Sequence, residues 1–158
     1  KFVKKGTSKG SVPYKTGTTL TLRDGMIGRV YVRFVTDAGI DEMQLSGIAV
    51  DTKAPTKTKI KVNRSGIKTL KTSTKTSYNK KIKKSAKFVF SASYGISGKS
   101  KTQYKIVQKG KKASKYRWKT ANKITYKKKN KKVSIYARFI DKCGNITQRK
   151  SSGFYITK

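Results

Sequence analysis

The chain has 158 residues, with 41 Lys and Arg against 6 Asp and Glu, a formal net charge of +35. A single cysteine rules out an internal disulfide and a cysteine-based zinc site, and the absence of histidine removes the common metal and triad chemistries. No run of 18 or more apolar residues occurs, so nothing reads as a transmembrane segment, and no signal peptide is visible, though a fragment would have lost one.

In chain order, the first clear pattern is Val30, Val32 and Phe34, which alternate as in a strand with one buried face. Thr36-Asp37-Ala38-Gly39-Ile40 follows as a hairpin turn in which Gly39 supplies a positive φ. Asp51-Thr52-Lys53-Ala54-Pro55-Thr56 has the composition of a linker, since the proline keeps the residue before it extended. Further strands are predicted over Thr58–Val62, Ala86–Ala92, Gln103–Gln108, Lys115–Lys119, Lys123–Tyr126, Val133–Ile140 and Gly153–Thr157. Phe88 and Phe90 point inward with Lys87 outward, and the odd positions from Val133 to Phe139 form the buried side of their strand. Gly144 is expected to turn the hairpin after it, with Asp141 bonding back to the turn amides. No segment offers a convincing amphipathic helix. Short strands at this density predict an all-β, antiparallel sandwich architecture.

The strongest organisational signal is an internal repeat. Residues 29–40, RVYVRFVTDAGI, match 134–145, SIYARFIDKCGN, pairing Tyr31 with Tyr136, Arg33 with Arg138, Phe34 with Phe139 and Gly39 with Gly144. Lys1–Gly6 lines up with Lys105–Gly110, Pro13–Thr16 with Arg117–Thr120, and Ser46–Val50 with Ser152–Ile156. A period of about 105 residues means a duplicated module. Residues 53–158 are expected to form a complete unit and residues 1–52 the C-terminal half of another, a fragment lacking about 50 residues of its unit, with the linker at about 51–56.

The hairpin Asp141-Lys142-Cys143-Gly144-Asn145 and the linker Asp51–Thr56 resemble the Asp-x-Ala-Gly-Asn and Asp-Thr-x-Ala-Pro-Thr motifs of bacterial immunoglobulin-like repeats from secreted and surface proteins. Tyr104, Trp118 and Tyr136 resemble the aromatic spacing of such repeats. Cys143 stands where the motif has Ala, and Ile40 where it has Asn. The resemblance implies tandem Ig-like β-sandwich modules and an extracellular, cell-surface location within a larger parent chain. It implies no site, because fold alone does not assign function.

Charge supplies the functional expectation. Residues 1–52 carry eight basic and five acidic side chains, whereas residues 53–158 carry thirty-three basic side chains and one acid, Asp141. Only seven of the basic residues are Arg, which favours diffuse attraction to a polyanion over base-specific readout. The densest run, Lys127, Lys128, Lys129, Lys131 and Lys132, is expected at a hairpin tip around Asn130. Lys80, Lys81, Lys83 and Lys84 form a second cluster, and Lys109, Lys111 and Lys112 a third. A charge run is usually a solvated loop, so each cluster alone says little; three together raise the case for a cationic surface.

Trp118, Tyr116 and Tyr94 are candidate stacking platforms for sugars. The alternation in 115–119 would place the first two on one side of a strand, where core packing is the commoner role. Catalysis finds no support: Cys143 has no histidine base, Asp141 has no carboxylate partner in its unit, and Asp41 and Glu42 point to opposite faces. The expectation is a non-catalytic spacer or adhesion unit, with no cofactor and no metal, attracted to anionic polysaccharide, teichoic acid or glycosaminoglycan. Alternatives are an accessory carbohydrate-binding module of a polysaccharide-active enzyme and a nonspecific nucleic-acid-binding protein.

Overall fold

The structure, a computed structural model, describes residues 1–62 and 78–157. Apart from one 3-10 turn, every regular element among the described residues is a β-strand, and all sheet pairings but two short parallel contacts are antiparallel. The chain divides into two compact units, Lys1–Lys53 and Ala54–Lys158. No helix among the described residues is long and apolar enough to cross a membrane.

The first unit is a three-stranded sheet of β1 (Phe2–Lys4), β2 (Ile27–Thr36) and β3 (Gly39–Ala49), with β2 in the middle. The β2–β3 turn closes at Gly39, whose φ of 144° lies outside the range that a residue with a side chain readily adopts. The expected inward side of β2 is only partly covered. Val30 is buried, but Phe34 is 53% exposed, and Met43 (54%) and Leu45 (50%), which pair with Val32 and Val30, are exposed as well. The matching positions of the second unit, Ile135, Ala137 and Phe139, are fully buried. The difference is a second layer, which the second unit has and the first does not.

That second layer is the sheet of β4 (Thr56–Val62), β6 (Ala86–Ser93) and β9 (Lys123–Tyr126). The larger sheet contains β5 (Lys80–Lys83), β7 (Lys99–Gln108), β8 (Lys119–Thr120), β10 (Val133–Asp141), β11 (Ile146–Lys150) and β12 (Phe154–Thr157), ordered β5-β12-β10-β7-β8 with β11 also on β10. Both sheets turn apolar faces onto one cluster. Ile60, Val62, Phe88 and Phe90 come from the smaller sheet, and Ile135, Phe139, Phe154 and Ile156 from the larger. Phe154 packs against Phe88 and Tyr126, with centroids 4.9 and 5.7 Å apart. Burial of large aromatic and branched side chains is what holds the two layers together.

Two local expectations need correction. Lys115–Lys119 is not a strand: a 3-10 turn at Ala113–Lys115 occupies its start, and only Lys119–Thr120 pairs with β7. The run 127–132 is not a hairpin tip. β9 pairs with β6 and β10 with β7, so the run crosses from one sheet to the other. Asn130 still takes the left-handed conformation (φ 55°), and its amide donates to the Ile156 carbonyl. The Lys80–Lys84 cluster, for which the sequence predicts no element, lies on and just after strand β5, with Ile82 buried among its lysines.

Candidate functional site

The larger sheet of the second unit has an inward face in the core and an outward face that carries polar and charged side chains. Period-two alternation places Lys105, Tyr136, Arg138, Gln148 and Lys150 on the outward face, and the register sets Tyr136 between Lys105 and Lys150 and Arg138 between Gln103 and Gln148. Trp118 lies over this face. Lys105 Nζ is 4.7 Å from its ring centroid and Arg138 Cζ is 4.5 Å away, both within cation–π range. Lys105 and Lys150 approach Tyr136 at 5.8 and 5.6 Å. Arg138 Nε donates to Gln103 Oε1 at 2.7 Å, and Lys105 Nζ to the Ala113 carbonyl at 2.7 Å. Trp118 is half-buried and lies outside the core cluster, so core packing is not its role.

At the mouth of the two layers runs a groove of about 480 Å³. Lys105, Lys115, Arg117, Lys119, Lys128 and Lys131 line it together with Tyr104, Tyr116 and Tyr126, and no acidic residue does. Of the expected lysines, Lys128 and Lys131 reach the groove, whereas Lys127, Lys129 and Lys132 are exposed beside it. The three clusters adjoin through the backbone. The Lys109 amide donates to the Lys132 carbonyl, bringing Lys109, Lys111 and Lys112 next to the crossover. Lys129 bridges Ile156, whose neighbour on β5 is Ile82, so Lys80, Lys81, Lys83 and Lys84 lie one strand further on. Tyr116 lines the groove, but Tyr94 packs against the core, its hydroxyl 3.2 Å from Thr102 Oγ1, and presents no platform.

Sequence reasoning missed Lys105, Lys115, Arg117, Lys119 and Arg138, because each is a single charge within or beside a strand rather than part of a run. The signal was the alternation of Lys115, Arg117 and Lys119 with aromatic residues.

The first unit carries a related but closed cluster. Lys1 Nζ lies 4.2 Å and Arg33 Cζ 3.9 Å from the Tyr14 centroid, and Lys1 Nζ donates to the Lys9 carbonyl at 2.9 Å. Glu42 accepts from Lys9 Nζ, the Tyr14 hydroxyl and Arg33 Nη2. These bonds, that from Lys9 first, hold its carboxyl well below the ordinary value of 4.5, at about 2. Desolvation and the bond to Glu42 push the Tyr14 hydroxyl up. Glu42 is thus tied into an ion-pair network and is not half of a hydrolytic carboxylate pair. No group of three or more potential metal ligands occurs among the described residues. The hairpin acid Asp141 is buried, and its two oxygens accept from the Asn145 backbone and side-chain amides, each at 2.9 Å.

No family model, no curated protein and no solved structure matches the chain.

Proposed function

We propose that the chain is a non-catalytic pair of immunoglobulin-like modules of a bacterial surface or secreted protein, acting as a spacer and adhesion unit whose second module holds anionic polymers. Residues 53–158 take the part of a whole module, and residues 1–52 that of the later strands of another. The observation that carries the reading is the groove that, among the described residues, six cationic side chains and no acid line, with the Lys109–Lys112 cluster tied to the crossover beside it. The hairpin and linker motifs support the extracellular setting. Lysine charges spread along a groove suit a flexible polyanion such as teichoic acid, acidic polysaccharide or glycosaminoglycan, and binding would be driven by release of the polymer's counterions.

Titration of the whole chain with heparin and with teichoic acid tests this. The logarithm of the binding constant should fall linearly with the logarithm of NaCl concentration. Replacing Lys115, Lys128 and Lys131 with Gln should shallow that slope by roughly one for each charge that contacts the polymer. Absence of binding at low salt would remove the adhesive role and leave the spacer alone. Tyr116 in the groove favours one second reading, a carbohydrate-binding accessory module. In that case a neutral oligosaccharide would bind independently of salt and Tyr116→Ala would abolish it.

A further inference from the structure

The two units build the same local cluster, one with a carboxylate in it and one without. Lys1, Tyr14 and Arg33 superpose in sequence on Lys105, Trp118 and Arg138, and the contacts repeat as well. In each unit the lysine and arginine approach one aromatic ring, and the lysine ammonium donates to the carbonyl of the residue eight positions on, Lys9 or Ala113. What differs is the group across the strand pair from the arginine. Arg33 pairs with Glu42, and Arg138 with Gln148. Lys9 gives way to Ala113 and the Tyr14 hydroxyl to an indole, so the two other groups that hold Glu42 are gone as well. Lys150 replaces Gln44 and adds a cation instead. The second unit therefore keeps Lys105, Arg138 and Lys150 together with no carboxylate. Its single side-chain acid, Asp141, has both oxygens on Asn145.

We propose that the outward face around Trp118 is a carboxylate subsite, in which Arg138, with Lys105 and Lys150 beside it, receives a uronate group of a polysaccharide as Arg33 receives Glu42 in the first unit. The inference rests on the polyanion-binding reading and specifies it. Among the described residues Arg138 commits only its Nε, to Gln103, and no ion pair engages it. Its terminal nitrogens form the planar fork that a carboxylate matches, and Gln148 and Gln103 beside it offer neutral amides to ring hydroxyls. A carboxylate is the chemistry favoured because the first unit shows the equivalent arginine, Arg33, bound to one, Glu42.

The test uses the whole chain, a trigalacturonate and its methyl ester. The acid should bind about tenfold more tightly than the ester, the scale of one charge-assisted arginine–carboxylate contact. Gln148→Glu installs an internal carboxylate opposite Arg138 and should bring the acid down to the ester's affinity. Lys87→Gln, on the exposed side of β6, makes the same change in net charge and should leave the preference in place. In the reciprocal variant, Glu42→Gln, the first unit should gain a site and the stoichiometry should rise. Equal binding of acid and ester, or a Gln148→Glu chain that keeps the preference, overturns the subsite. If sulfated dextran still binds with a steep salt dependence in that event, the polyanion reading survives. Should neither polymer bind at low salt, both fail together.

Discussion

Among single residues, Glu42 sets a pH dependence whose sign follows from its contacts. Its carboxyl sits at about 2 in the folded unit against an ordinary 4.5, because Lys9, Tyr14 and Arg33 all favour the charged form. A lowered folded value means stability that is present above about pH 4.5 and lost as pH falls through about 2. Acidification over that window should loosen β2 and β3, observable as loss of their amide NMR dispersion. In Glu42→Gln this part of the acid transition should vanish. Single residues also mark the limit of reading charge from sequence. Asp141, Gly144 and Asn145 announce their turn, because the turn's chemistry is written within five positions. The partnership of Arg138 with Trp118 is set by a loop that passes over the sheet, and no local pattern encodes it.

Alternation of apolar residues marks β6 and β10 in the sequence, and β-branched and aromatic content marks β4, β7, β9 and β12, all of which the structure contains. β5 escaped because Ile82 is its single buried apolar residue, and one residue carries no period. The run 127–132 reads as a hairpin tip because Asn130 does adopt a turn conformation, yet strands adjacent in sequence need not belong to one sheet. β5 also gives its lysines a second duty. Among the described residues it is the last strand of its sheet order, and Lys80, Lys81 and Lys83 stand exposed on it. Charged side chains along a sheet edge discourage pairing with another chain. Lys81→Val with Lys83→Val should therefore promote self-association, seen as a concentration-dependent shift in gel filtration. Replacing the same pair with Glu should keep the chain monodisperse.

At the level of the molecule, charge and stability pull against each other in the second unit. Thirty-three basic side chains against one acid repel one another in the compact state. Added salt screens that repulsion, so thermal unfolding of the second unit should move to higher temperature between low and moderate NaCl, with a smaller change in the first unit. A bound polyanion supplies the same neutralisation and should raise the unfolding temperature at low salt by mass action. The two effects then compete: salt that stabilises the free chain also releases the polymer. Scanning calorimetry with and without heparin should show the ligand's contribution shrinking as NaCl rises while the unliganded transition climbs. Charge asymmetry was fully visible in the sequence. That Lys128 and Lys131 share a groove with Lys115, Arg117 and Lys119 was not, because convergence depends on which strands become neighbours.

The pairing of β12 has a mechanical consequence. This strand lies parallel to β5 over four residue pairs, Phe154 to Thr157 against Lys80 to Lys83, and is tied on to Lys129 and Asn130 of the crossover. Tension applied at Thr157 along the strand cannot peel those bonds apart one at a time. It must shear them together, and Phe154 and Ile156 must leave the core in the same event. The last strand of the chain is therefore a clamp against pulling, and the lysine-bearing crossover is one of its jaws.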